Sequence, residues 1–283
     1  MKVDLPFGFV SVLAITQFAS GFLYKSTRKY SVSKWTPVED HQFKHISAGE
    51  DDSLWGLSGD GEVLRYWEQG WKRLPGTIYD LSALNVYIAW GIGPSSGVFR
   101  FNGDSWYQIN GELKKISAST QDVDVHNVEH IWGITKHNTL WYCYYQVGYN
   151  QCEWTKVPKP NNLKIIEIAS SVDGTAFGLF DIPGEKGYLT YWYHGGRWQL
   201  TEHRFSHIST SSNRKVIGMT PKGDVKVYEA DSSTWKSVNT TGLMPEMVTV
   251  GQSVWTVSSK KFSFVDDSHL SEKIDESFSL IDL

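Results

Sequence analysis

The sequence predicts an all-β fold, a six-bladed β-propeller of four-stranded antiparallel blades, and three observations carry that expectation. A short apolar run built on Trp-Gly or a close variant starts at Leu54, Ala89, Ile131, Ala176, Val216 and Val254. A second tryptophan recurs at Trp35, Trp71, Trp106, Trp154, Trp198 and Trp235, at intervals of 35 to 48 residues. The ends of the pattern are incomplete in complementary ways, the first repeat holding only its last strand and the last repeat only its first three. Repeats of this length cannot bury both faces alone, and they stack round an axis as blades.

The unit is clearest between Phe43 and Gly76. Strand a is His45 to Gly49, small and β-branched, followed by the acidic turn Glu50-Asp51-Asp52. Strand b, Leu54 to Ser58, alternates apolar and small residues, and Gly59-Asp60-Gly61 closes it as a hairpin turn. Strand c runs from Glu62 to Trp67, and strand d from Gly70 to Leu74 before Pro75-Gly76 stops it. Strand a returns at Leu81, Ile116, Ile168, Ile208 and Val248, and strand b as AWGIG, IWGIT, AFGLF, VIGMT and VWTVS.

Closure follows from the ends. Lys34-Trp35-Thr36-Pro37-Val38 is a d strand without a, b and c, whereas the last repeat supplies a at Val248 to Gly251, b at Ser253 to Ser258 and c at Lys261 to Val265. The N-terminal strand is therefore expected to complete the sixth blade, which leaves no open sheet edge.

The expected organisation is a signal peptide over 1–21, a leader over 22–33, the propeller over 34–267 and a tail over 268–283. The uncharged run Phe7 to Ser20 follows Lys2 and ends in Ala19-Ser20-Gly21, as a secretory signal does, and it is short for a membrane span. Asp4 and Pro6 fit a signal less well, and a further strand is the alternative. Among 283 residues, 27 Lys and Arg against 31 Asp and Glu give a net charge of −4, with no basic patch to imply a nucleic-acid partner.

The repeat holding Trp132 carries an insertion, Thr120 to Glu129, and both cysteines. A hairpin turning at Val147-Gly148 sets Cys143 opposite Cys152, within reach of a disulfide. An intrachain bridge agrees with secretion; two free thiols or a bond to a partner chain are the alternatives. Asn239-Thr240-Thr241 is an N-glycosylation acceptor if the chain is secreted.

No catalytic or metal constellation emerges, so neither enzyme activity nor a cofactor is expected. His126 and His130 are four apart on an extended insertion and do not share a helix face. Ser171-Val172-Asp173-Gly174-Thr175 approaches the turn of propeller sialidases but occurs once, with Gly174 one place early. Asp104 and Glu167 remain as isolated carboxylates. Trp55, Trp90, Trp132 and Trp255 on the b strands have two readings. Trp55, Trp90 and Trp132, each followed by Gly, fill the space between blades, the Gly admitting the neighbouring sheet, or the four offer an indole face at a blade edge to a sugar. Arg65 and Arg100, at matching places on c strands, can hydrogen-bond sugar hydroxyls or phosphate, or they are solvated or inter-blade arginines. Repetition favours several weak, equivalent sites acting together on a multivalent surface.

The pattern W-x-x-V/L, I-S-A-G, L-W-G-L, V-L-R-Y resembles the repeat of the tectonin and tachylectin-1 family over about Lys34 to Asp267. The resemblance is strongest in the repeats of Trp55, Trp90 and Trp132; Phe177 and Ile217 replace the b-strand Trp further on, and Thr256 replaces the Gly. It implies a secreted six-bladed lectin that binds glycans or lipopolysaccharide without catalysis, in defence or as the targeting chain of a toxin. A protein-interaction scaffold is the alternative reading.

Overall fold

The computed structural model describes residues 22–26, 35–37, 43–67, 70–120, 128–171, 174–211, 215–229, 234–240, 245–250 and 254–258. Two strands come first, β1 (Phe22–Ser26) and β2 (Trp35–Pro37). Blade 1 is β3 (His45–Ala48), β4 (Leu54–Leu57), β5 (Glu62–Trp67) and β6 (Gly70–Thr77). Blade 2 is β7 (Asp80–Ala83), β8 (Ile88–Ile92), β9 (Gly97–Asn102) and β10 (Trp106–Glu112). Blade 3 is β11 (Lys115–Thr120), β12 (Val128–Ile134), β13 (Leu140–Gln146) and β14 (Thr155–Val157). Blade 4 is β15 (Lys164–Ser170), β16 (Ala176–Asp181), β17 (Tyr188–His194) and β18 (Arg197–Phe205). Blade 5 is β19 (His207–Ser211), β20 (Lys215–Met219), β21 (Val225–Glu229) and β22 (Thr234–Val238), and β23 (Pro245–Val250) and β24 (Val254–Ser258) follow.

The expected count of six blades is corrected to five made of continuous chain. The remaining four-stranded sheet is divided between the ends, in the order β2-β1-β24-β23. Its third strand is a second correction. The N-terminal segment contributes two strands, because β1 pairs with β24 through Phe22↔Ser258 and Tyr24↔Thr256 and with β2 through Ser26↔Trp35. Part of the expected leader 22–33 is thus a strand, in the place assigned to Lys261–Val265, which lies outside the described residues. So do the signal segment 1–21, the tail 268–283 and His126.

Contacts round the axis run from β3 to β7, β11, β15, β19 and β23 and back to β3. The recurrent Ser or Thr of strand a clasps this ring. Ser47 Oγ accepts the Ala83 N–H at 2.9 Å, Ser82 Oγ the Ala118 N–H at 2.9 Å, Ser117 Oγ the Ser170 N–H at 2.8 Å, and Thr249 Oγ1 the Ala48 N–H at 3.0 Å. Each hydroxyl satisfies a buried amide of the following sheet that the flat edge of a ladder would leave without a partner.

The b-strand glycine has a different purpose from the one expected. A Cβ at Gly56 would stand 2.2 Å from the Phe43 ring, and one at Gly133 2.3 Å from Leu113 Cδ1. Both neighbours belong to the segment leading into strand a of the same blade. At these two positions the glycine therefore seats its own blade's lead-in residue rather than admitting the next sheet.

The next sheet meets the aromatic residue instead. Trp55 packs edge-on against Phe101 at 5.4 Å and Trp106 at 6.4 Å, Trp132 against Tyr193 at 5.0 Å and Trp198 at 6.2 Å, and Phe177 against Tyr228 at 4.9 Å and Trp235 at 5.5 Å. At these three junctions the following blade's c-strand and d-strand rings bracket the b-strand ring, an edge-to-face arrangement suited to aromatic quadrupoles. No helix among the described residues is long and apolar enough to cross a membrane.

Candidate functional site

The sequence-predicted ligand residues lie inside the molecule. Trp55, Trp90 and Trp132 are each 0% exposed, so their indole faces do not stand at blade edges, and packing between blades is the role that they have. Trp255 falls on β24, opposite Lys25 of β1 and Thr249 of β23. Arg65 reaches across the junction, donating from Nη1 to the Val86 carbonyl, with its guanidinium 5.6 Å from the Trp55 ring centre. Burial lowers its pKa from the ordinary arginine value.

Arg100 makes a stronger version of the same link. It donates from Nε to Glu129 Oε2 at 2.9 Å and from Nη2 to Oε1 at 2.6 Å, and Trp90 Nε1 donates to Oε2 at 2.6 Å. Glu129 sits on β12 of blade 3, opposite a blade 2 pair, and is completely buried. Burial works against the guanidinium charge, but the hydrogen bonds and charge of Glu129 outweigh it, and the Arg100 pKa is raised. The fork geometry leaves this arginine no free face for a ligand phosphate.

Cys143 and Cys152 form a disulfide, with their Cα atoms 5.6 Å apart. The strand register differs by two residues from the expected one: Tyr142 faces Thr155, and β14 starts only there. Asn110 of blade 2 grips the bridged segment, its Oδ1 accepting the Cys152 N–H at 2.7 Å and its Nδ2 donating to the Cys152 carbonyl at 2.8 Å. Trp154 then donates from Nε1 to the Asn110 carbonyl at 2.7 Å. Gly111, at φ 127°, lets the chain pass under this indole, since a Cβ there would stand 2.7 Å from Trp154 Nε1. Asn239 is exposed, as a glycosylation acceptor must be.

These contacts hold one wall of a cleft of about 480 Å³ between blades 2 and 3. Trp141, Trp154 and Leu113 give it an apolar lining, and Glu112, Thr135, Lys136, His137 and Thr139 its polar rim. Both indoles are half-buried, while Glu112, Lys136 and His137 are exposed. Trp141 Nε1 donates to Thr139 Oγ1 at 2.9 Å, and Thr135 and Thr139 share a 2.7 Å hydrogen bond. Mostly apolar walls with a few fixed polar groups are the composition of a small-molecule site. Sequence reasoning used Trp154 as a repeat marker and read Trp141 as strand. The missed signal was the second: Trp141 faces Gly133, where the paired positions elsewhere are Leu64, Phe99, Tyr191 and Lys226.

A second polar group lies where the a strands begin. His45, Asp80, Lys115 and Glu167 line the axial cavity, about 30 Å³ in size, together with Ser47, Ser82, Ser117 and Ser209, and His207 adjoins it through Glu167. His45 Nε2 bonds the Leu81 carbonyl at 2.8 Å, Asp80 accepts the Ile116 N–H at 2.7 Å, and Glu167 accepts the Ile208 N–H at 2.8 Å. His207 meets the Val248 carbonyl at 3.2 Å and Glu167 at 3.0 Å, and Lys115 lies 3.7 Å from Glu167. Burial alone would raise the Glu167 pKa, but His207, Lys115 and the amide bring it down to about 2. Every one of these contacts joins one blade to the next. Among the described residues no three His, Cys, Asp or Glu side chains are grouped to hold a metal.

Residues 42–179 match the Tectonin domain family. The match spans blades 1 to 3 and ends in blade 4, short of the expected range of Lys34 to Asp267, where Ile217 and Thr256 break the b-strand motif. No curated protein matches this sequence. Among solved structures, a putative TolB from Agrobacterium tumefaciens is 10% identical, covering 77% of this chain and 88% of its own, with a TM-score of 0.55. The WD40 β-propeller domain of Doa1 is 12% identical over 86% of this chain and 91% of its own, at 0.51. The lectin SapL1, solved with α-methyl fucoside, is 15% identical over 72% and 83%, at 0.46. At such identities the first two show the propeller fold alone, and the third carries no argument.

Proposed function

We propose that this chain, a tectonin-like β-propeller over residues 42–179, is a non-catalytic carbohydrate-binding protein whose saccharide site is the cleft between blades 2 and 3. The observation that carries the reading is the pair of half-buried indoles, Trp141 and Trp154, in a cleft whose lining falls wholly within the matched segment. An indole face accepts the C–H face of a pyranose ring, as it accepts other flat or apolar partners. Glu112, Lys136, His137 and Thr135 on the rim supply donors and acceptors for the hydroxyls that project sideways from such a ring.

Secretion belongs to the same reading. The disulfide supports it, and cleavage after residue 21 would leave β1 whole, since it begins at Phe22. A role in defence, with lipopolysaccharide among the glycans recognised, is the extension that the family resemblance suggests.

The test is a glycan and lipopolysaccharide array probed with the purified secreted chain and with Trp141→Ala. Saccharide-selective binding that the variant loses supports the reading. Wild-type protein that binds no glycan at high density overturns it in favour of the interaction scaffold. Retained binding in the variant moves the site elsewhere.

A further inference from the structure

Resting on that reading, we infer that the chain holds one saccharide site rather than a ring of equivalent ones, and that the Cys143–Cys152 bond and Asn110 build its outer wall. The site is then complete only in the oxidised protein.

The argument for one site is positional. Each blade junction has the same scaffold, yet the cleft needs an indole facing the b-strand glycine, and only β13 supplies one among the described blades. Phe99 and Leu64 are smaller, Tyr191 is buried to 8% exposure, and Lys226 is a cation. The d-strand tryptophan also behaves differently here. Trp106, Trp198 and Trp235 lie edge-on against the b-strand ring of the preceding blade. At Trp90 that place is taken by Tyr145, 4.9 Å away, and no ring pair joins Trp90 to Trp154 among the described residues. Trp154 is released to line the cleft.

The disulfide explains how Trp154 is then held. β14 begins only at Thr155, so the residues before it have no ladder to fix them. Two attachments replace the ladder. The bridge ties Cys152 to Cys143, a fully buried residue of β13, and the Asn110 amide closes a two-point bond on the Cys152 backbone. Trp154 stands two residues further on, anchored to the same Asn110 through its carbonyl. In blades 2 and 4 the corresponding indoles donate to Pro75 and Pro158 carbonyls with no bridge nearby.

Titration calorimetry with a panel of methyl glycosides, those of glucose, galactose, mannose, fucose and N-acetylglucosamine, tests both parts on the intact chain. One glycoside bound per chain is expected, with Trp106→Ala and Trp198→Ala leaving Kd unchanged and Trp154→Ala abolishing binding. Asn110→Ala removes two hydrogen bonds from the wall and is expected to weaken binding about tenfold in protein that stays folded by far-ultraviolet dichroism. Cys143→Ala/Cys152→Ala, or a dithiol reductant added to folded protein, is expected to do at least as much while the far-ultraviolet dichroism persists. A stoichiometry of two or more, or full-strength binding by folded, reduced protein, overturns the inference and leaves the lectin reading standing. If neither the panel nor the array binds, both fall.

Discussion

The junction between blades 2 and 3 and the junction between blades 4 and 5 occupy equivalent places in the ring and are sealed by opposite chemistry. In the first, Trp90 and Arg100 converge on the buried Glu129 carboxylate. In the second, Phe177 replaces the tryptophan and is packed by Tyr228 and Trp235, with Val216 of the next b strand in the same cluster. The shape is kept and the polarity is not. A buried ion pair adds little net stability over a well-packed apolar core, but its partners are specific, whereas an aromatic stack accepts many sequences.

The largest effects come from breaking each seal. Glu129→Ala strands the Arg100 charge and is expected to cost about 3–5 kcal/mol, and Phe177→Ala opens a cavity of similar cost, about 3–5 kcal/mol. Rescue separates them. Adding Arg100→Met to Glu129→Leu is expected to restore most of the stability, because no charge is left buried, whereas Phe177→Leu recovers only part of its loss. Urea unfolding of the four variants is the measurement. If Glu129→Ala is neutral, the network does not hold the junction.

Next in size are the glycines. Gly133→Ala would place its Cβ against Leu113 within a packed blade, and overpacking of this kind costs about 1–3 kcal/mol. Gly70 has nothing within 4 Å of a Cβ, so Gly70→Ala is expected to stay within about 0.5 kcal/mol of wild type. Equal effects would mean that the b-strand glycine is dispensable. Smaller again, Ser117→Ala removes one clasp hydrogen bond to Ser170, for about 1 kcal/mol.

Periodicity made the b and d strands and the Cys143–Cys152 proximity legible, because each depends on neighbours within one repeat. What it hid depends on the next blade. Arg65 and Arg100 read equally as sugar ligands or as solvated or inter-blade arginines, because nothing in their own repeat shows the Val86 carbonyl or Glu129 that receives them, and the inter-blade reading holds. Glu129 itself stood at the edge of an insertion. Phe22 to Ser26 followed an apolar run and looked like a leader, since its partners are more than two hundred residues away on β24. Strand a was read as small and β-branched, and the role of its hydroxyls appears only when the ring closes.

The smallest predicted effect concerns the axis, where two histidines at equivalent places in blades 1 and 5 face different neighbours. His45 is buried among Asp80, Lys115 and His207; burial dominates and its pKa is lowered. Burial also opposes charge on His207, but Glu167 outweighs it and the pKa is raised. The signs are therefore opposite. His207 contributes stability that is fully present below the unfolded value of about 6.5 and lost as pH rises through its higher folded value. His45 contributes in the other direction, its neutral form being favoured and stability falling as pH drops below about 6.5. Burial raises the Asp80 pKa, whereas Glu167, at about 2, stays charged from pH 5 to 9. In the wild-type protein the two histidines therefore oppose one another between pH 5 and 9. His45→Gln leaves His207 alone and makes the protein weaken towards pH 9; His207→Gln leaves His45 alone and makes it weaken towards pH 5. Thermal midpoints across that range decide it, and parallel pH profiles in the two variants would show that the axial histidines do not link protonation to closure of the ring.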